Sequence, residues 1–193
     1  MKNDLLGGEL VRLTAENPEV VAAQLFRWNQ DTEWFRFLDT DPPRLFSEKK
    51  VKEFQEKALE KDSSNELFFN IRSLEDDRLI GFVGLFDLFK YHGDSLVAIA
   101  LGERTDWGKG YGTDAMRIML RYAFSELNLR RVGLIVFEYN PRAIRSYEKL
   151  GFVHEGRIRG AILREGRRWD WLFMGLNREE WSAMQATVAG GRD

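Results

Sequence analysis

Two short stretches carry residue types and spacings that could do chemistry. In the first, Gly108, Gly110 and Gly112 stand at alternate positions, with Lys109 and Tyr111 between them and Thr113 after. Glycine lacks a Cβ, so the backbone can approach a ligand closely and take dihedrals closed to other residues. An apolar, β-compatible run, Ser95 to Leu101, precedes the glycines. Met116, Met119, Leu120, Ala123, Phe124 and Leu127 follow at the spacing of an amphipathic helix. The loop therefore lies where a strand hands over to a helix. Free N–H groups and the positive dipole end favour an anion there. Phosphate binding by the backbone of Gly108 to Thr113 is the chemistry this points to, with Lys109 adding a positive charge. In the second stretch, Asn140-Pro141 reads as a cap and first helical residue, and Gly151 as a stop. Ala143 and Tyr147 are four apart and share a face. The small Ala143 leaves room beside a ligand for the Tyr147 hydroxyl, while a tyrosine that merely packs has the same spacing.

The elements that must position these residues can be read outward from them. Val132 to Phe137 is a nearly continuous apolar run, as expected of a strand buried on both faces. With Ser95 to Leu101 and the intervening helix it makes a βαβ unit with parallel strands. Upstream, Glu9 to Thr14 reads as a strand. Asn17-Pro18 opens a helix running to about Trp28, and Ser47 caps another, with Phe46 and Val51 as a hydrophobic staple. Leu67 to Arg72 and Leu79 to Leu88 form a hairpin turning at Glu75-Asp76-Asp77, between a loop at Lys61 to Asn65 and a turn at Lys90 to Asp94. Downstream, Phe152 to Leu163 and Trp169 to Leu176 form a second hairpin through Glu165-Gly166. Asn177 and Glu180 then begin a last helix, and the residues from about Val188 are expected to be a flexible tail.

Which phosphate the loop takes is narrowed by two failures. The pattern G-x-x-x-x-G-K-[ST] fails because Glu103 stands at its first glycine and Gly110 follows Lys109. G-x-G-x-x-G started at Gly108 meets Thr113 where its third glycine belongs. Trp107-Gly108-Lys109-Gly110-Tyr111-Gly112 instead resembles the pyrophosphate loop of the GNAT acetyltransferase superfamily, [QR]-x-x-G-x-[GA], departing from it at Trp107. Asn140-Pro141-x-Ala143-x-x-x-Tyr147-x-x-x-Gly151-Phe152 resembles that superfamily's second motif. The W-G-K-G-Y start is similar to the branch holding ribosomal-protein N-terminal acetyltransferases and spermidine acetyltransferase.

The resemblance implies one α/β (α+β) domain over residues 1–193. Its mixed, mostly antiparallel sheet of about seven strands would carry helices on both faces and a central βαβ acetyl-CoA unit. It implies acetyl-CoA as donor, with the pyrophosphate on Gly108 to Thr113, the pantetheine arm along Ala100, Leu101 and Gly102, and Asn140 and Ala143 on the other side. It implies transfer to a primary amine, either a protein N-terminus or a small molecule, with Tyr147 as the acid that protonates the departing thiolate. Backbone N–H groups of the splayed strand would polarise the thioester carbonyl. Many relatives place a carboxylate early in that strand, but Ser95-Leu96-Val97-Ala98 has none. Glu103, Glu33, Asp31 or a water chain is left as the base. Homodimers are common among relatives.

Composition bounds the alternatives. The 193 residues carry a net charge of −2 and an estimated pI of 5.9, which argues against a nucleic-acid binder. There is no cysteine, hence no disulfide, thiol nucleophile or acyl-cysteine, and with two histidines a metal centre is not expected. No run reaches the length of a membrane span and no signal-peptide core follows Met1, so a cytoplasmic protein is expected. Between Trp28 and Asp41, aromatic and acidic residues occur together; Asp31, Glu33 and Trp34 would suit a cationic amine through ion pairs and cation–π contact, or the aromatics would pack the helices onto the sheet. Arg157, Arg159, Arg164, Arg167 and Arg168 would instead meet an acidic partner, or simply face solvent. A non-catalytic acyl-CoA-binding module on the same fold is the rival reading, and a nucleotide-binding protein of another fold a third.

Overall fold

In the computed structural model, which describes residues 4–60, 65–89 and 91–190, seven strands form one sheet in the order β1-β2-β3-β4-β5-β7-β6. They are β1 (Val11–Thr14), β2 (Leu67–Ser73), β3 (Leu79–Phe89), β4 (Asp94–Leu101), β5 (Arg131–Phe137), β6 (Val153–Arg164) and β7 (Arg167–Asn177). The helices are α1 (Pro18–Trp28), α2 (Thr32–Leu38), α3 (Glu48–Glu60), α4 (Tyr111–Ser125), α5 (Pro141–Lys149) and α6 (Arg178–Gly190). Every neighbouring strand pair is antiparallel except β4 and β5. Residues 61–64 of the expected loop, residue 90 of the expected turn and residues 191–193 of the expected tail lie outside the described residues. Through Gly190 that tail is helical instead, the last turns of α6.

Caps set the helix boundaries as the side chains dictate. Asn17 accepts from Glu19 N–H at 2.9 Å with Pro18 in the first turn, and Ser47 Oγ accepts from Lys50 N–H at 3.3 Å. Phe46 meets Phe54 edge to face at 5.3 Å, and Val51 is buried. Sequence reading passed over α2. Asp31 caps it by accepting from the N–H groups of Glu33 and Trp34, at 2.9 and 3.3 Å.

The two faces of the sheet are covered separately. Against one face pack α4 residues such as Ala115, Met116 and Met119, with Val83, Leu85, Val97, Val132 and Leu134 of the sheet. Against the other, Trp28 of α1 and Trp34 of α2 pack with Leu79, Phe82 and Ala100. A register shift between Ile71 and Arg72 pairs Gly81 and Leu79 with successive residues of β2, so β3 bulges at Ile80. Ile80 thereby joins the α4 face while Leu79 faces the tryptophans.

The feature that makes a site is where the parallel pair fails. β4 and β5 pair only at Asp94 to Leu96 with Arg131 to Gly133, and beyond that they diverge. β5 is not buried on both faces throughout as its apolar run predicts: Ile135 is 41% exposed, because it borders the opening.

At the far edge, Arg72 on β2 holds Glu16 by two hydrogen bonds of 2.6 and 2.8 Å. The Arg72 hydrogen bond is the main reason the Glu16 carboxyl drops from the usual 4.5 to about 2. A depressed carboxylate stabilises the fold above its unfolded pKa and loses that contribution as pH falls through the folded value. Acid unfolding should show it: between about pH 5 and pH 2 the wild type is expected to lose about 2 kcal/mol more stability than Glu16→Gln.

Candidate active site

The diverging strands open a cleft of about 380 Å³ between β4, β5, the start of α4 and one face of α5. Four kinds of group converge on it.

The first is a free helix N-terminus. Gly110 caps α4 at φ +92° with no side-chain hydrogen bond, and Gly108 before it has φ +76°. Both are left-handed values that select glycine. The first N–H groups of α4 are thus left to the cleft. The loop is tethered from behind. Asp106, 1% exposed, accepts from Arg78 at 3.1 Å. Asp114 in the first turn of α4 accepts from the N–H groups of Leu10 and Val11 at 2.8 and 3.1 Å, so its charge is spent on β1.

The second is an open strand edge. Gly102 N–H donates to Ile80 C=O, and Phe82 pairs with Ala100. Antiparallel alternation then turns the even-numbered residues of β4 toward β3 and leaves the backbone groups of Val97, Ile99 and Leu101 facing the gap. The Leu101 carbonyl is already taken, accepting from the indole N–H groups of Trp34 and Trp107, each at 3.0 Å. Those two indoles close the far end of the gap.

The third is the phenol of Tyr147, which lies edge to face with Phe152 at 5.9 Å. Burial pushes its pKa up to about 12, with the Arg142 cation pulling the other way. It is therefore protonated throughout the physiological range and has a proton to donate. Asn140 caps α5, accepting from Ala143 N–H at 3.2 Å, and Thr113 Oγ1 and Ser146 Oγ lie 2.8 Å apart, tying α4 to α5.

The fourth was passed over in the motif, at its unspecified position. Arg142 enters the cleft with its guanidinium 3.8 Å from the ring centre of Trp107 and 5.6 Å from that of Phe37. Trp107 departs from the Gln/Arg of the loop pattern, and here an arginine from α5 lies on its face.

Of the residues singled out in the sequence, Ala100, Leu101, Trp107, Gly108, Gly110, Gly112 and Thr113 line the cleft, as do Asn140, Ala143, Tyr147 and Trp34. Others do not. Gly102 is glycine because a Cβ there would fall 1.9 Å from the Trp28 indole; its space is already filled by protein. Tyr111 turns its side chain away, its hydroxyl donating to Glu75 at 3.0 Å, and Lys109 is exposed outside the lining.

Glu103 is not in the cleft either: it pairs with Arg27 on the surface at 3.1 Å. The Glu103→Gln variant is expected to keep kcat within about twofold, since an exposed pair contributes little; steady-state kinetics would show it. Asp31 and Glu33 are both bound by Arg104. The Arg104 hydrogen bond, aided by the backbone N–H groups of Trp34 and Glu33, holds Asp31 below the usual carboxylate range, which makes it a poor base. Among the described residues, no carboxylate or imidazole lines the cleft.

A second space of about 400 Å³ adjoins the cleft across Phe37, which lines both. It lies between α2, the 3₁₀ turn Arg104–Asp106, Tyr139 and the β6–β7 hairpin end, with Arg164, Glu165 and Trp169.

The cradle fits a pyrophosphate-bearing thioester. A Cβ on Gly108 would meet nothing within 4 Å, so the room beside it is not filled by protein. Fold and site together define an acyltransferase working from such a donor. A family model described as the acetyltransferase (GNAT) domain matches residues 10–153. The chain belongs to the GNAT acetyltransferase family and is an acetyl-CoA-dependent N-acetyltransferase.

It is 33% identical over 174 residues to the SPbeta prophage-derived uncharacterized N-acetyltransferase YokL of Bacillus subtilis, covering 90% of this chain and 93% of that one. It is 34% identical over 92 residues to the spermidine N(1)-acetyltransferase of Vibrio cholerae, covering 48% of this chain and 53% of that one. The crystal structure of the spermidine N-acetyltransferase from Vibrio cholerae in complex with CoA and spermine shares the fold. It has a TM-score of 0.76 at 24% identity over 89% of this chain and 98% of that chain.

Proposed function

We propose that the enzyme moves the acetyl group directly from acetyl-CoA to a primary amine, a protein N-terminus or a small molecule, bound beside it, without an acyl-enzyme. The observation that carries this is the meeting of a permanently protonated phenol, a free helix N-terminus and an open strand edge in one cleft. The donor supplies an activated thioester carbon and a doubly anionic handle. The N–H groups at the start of α4 hold that handle. The free N–H groups of β4 orient the arm and can stabilise the oxyanion as the amine nitrogen bonds to carbon. Tyr147 gives its proton to sulfur as the C–S bond breaks. The chain has no cysteine for an acyl intermediate. With no base among the described residues lining the cleft, the amine's proton leaves to solvent through the second space, and a proton taken up from solvent restores the Tyr147 phenol.

Calorimetric titration with acetyl-CoA, with ATP as control, followed by an amine panel scored by free CoA, tests the reading. Selective acetyl-CoA binding and CoA release with an amine are the expected results. Binding without turnover on any amine would make the chain an acyl-CoA-binding module instead, and no binding would remove the loop assignment.

A further inference from the structure

The charges around the second space are unevenly spent. Both carboxylates in its lining already hold a guanidinium: Glu33 pairs with Arg104, and Glu165 with Arg36 at 2.8 Å. Asp31, beside them, shares Arg104 and caps α2. Three arginines have no carboxylate partner among the described residues: Arg164 lines this space, and Arg142 and Arg167 lie on rings that wall it. Arg142 lies on Trp107 and faces Phe37, the ring between the two spaces. Arg167 lies 3.7 Å over the ring centre of Trp169. Arg164, 9% exposed, is pinned by donating to the carbonyls of Asp39, Thr40 and Asp41 at 2.9 to 3.0 Å, and its Nε has no partner.

Resting on the amine-acetylation reading above, we propose that this space is the acceptor site and that the acceptor is a small amine carrying its own anionic group, not a polyamine. A guanidinium stacked on an aromatic ring keeps its N–H edges free, and those edges match a carboxylate or phosphate. Arginines already held in place lose little entropy when an anion docks. A polyamine would meet a local surplus of guanidinium over carboxylate, or would have to strip Arg36 or Arg104 from its carboxylate. The aromatic walls, Phe37, Tyr139 and Trp169, suit a compact body between the amine and its anion. The same positive field lowers the pKa of the bound ammonium, so more of it is neutral where no base lines the cleft. The acidic residues that sequence reading assigned to a cationic amine, Asp31 and Glu33, are already engaged, sharing Arg104.

The test measures kcat/KM at saturating acetyl-CoA for two matched pairs, phenethylamine against phenylalanine and ethanolamine against phosphoethanolamine, together with spermidine. At least one anionic member should exceed both its uncharged parent and spermidine by about tenfold or more; the pair with the larger gain says whether carboxylate or phosphate is preferred. Arg167→Glu, an exposed substitution, should cut that preference by about tenfold while the KM for acetyl-CoA holds. Spermidine as the best substrate, no gain in either pair, or a preference unmoved by Arg167→Glu would overturn the proposal and leave amine acetylation standing. No CoA release with any amine, in protein that binds acetyl-CoA, would overturn both.

Discussion

Tyr147→Phe is expected to lower kcat by about 10²- to 10³-fold while leaving the KM for acetyl-CoA and the thermal midpoint nearly unchanged. The ring keeps its edge-to-face contact with Phe152, so packing is preserved and only the hydroxyl is lost. No hydrogen bond to protein is broken among the described residues, which separates the chemical effect from a structural one. Because the phenol titrates at about 12, its proton is present at every pH the assay covers. The kcat of the wild type should therefore not fall through about pH 10, where an ordinary tyrosine would ionise. Pre-steady-state and steady-state kinetics across pH would check both statements. Wild-type turnover in Tyr147→Phe would remove the tyrosine from the acid role and leave it as a wall of the cleft.

Gly112→Val should raise the acetyl-CoA dissociation constant by about tenfold or more with no loss of fold stability. The two effects separate because nothing in the protein needs glycine here. Gly112 has no positive φ, and a Cβ would sit 3.6 Å from Leu101 and 3.9 Å from Ile99, ordinary contact distances. The room beside its bare backbone opens onto the cleft. Gly110→Ala is the contrast, because φ there is +92° and the Cβ would lie 3.1 Å from Leu10 Cδ1, so strain lowers stability whatever binds. Calorimetric titration for affinity and thermal unfolding for stability would read the pair. A tight-binding Gly112→Val would mean the donor does not approach the start of α4.

Much of the fold was legible because its signals are local. Asn17-Pro18 and Asn140-Pro141 cap α1 and α5 where expected, and the glycine spacing marks the start of α4. The helix α2 was not legible. Its seven residues are aromatic or acidic on several sides, so periodicity is weak, and its identity depends on Asp31 capping it and Trp34 reaching Leu101 across the sheet. Glu103 was a candidate base because the strand Ser95-Leu96-Val97-Ala98 carries no carboxylate, yet its direction is set by the 3₁₀ turn and by Arg27, a partner 76 positions away.

By itself the sequence determined what depends on neighbours along the chain: the order of elements, the glycine cradle, and a tyrosine and an alanine on one face of a capped helix. The structure alone decided what depends on divergence and on charge pairing between distant residues. β4 and β5 part after three paired positions, and that gap is the cleft. Arg104 pairs with both Asp31 and Glu33, and Arg36 with Glu165, each from another element. Arg142, Arg164 and Arg167 are left without carboxylate partners among the described residues. The sign of charge a ligand meets is a sum over residues that touch only after folding, so no reading of spacing could have supplied it.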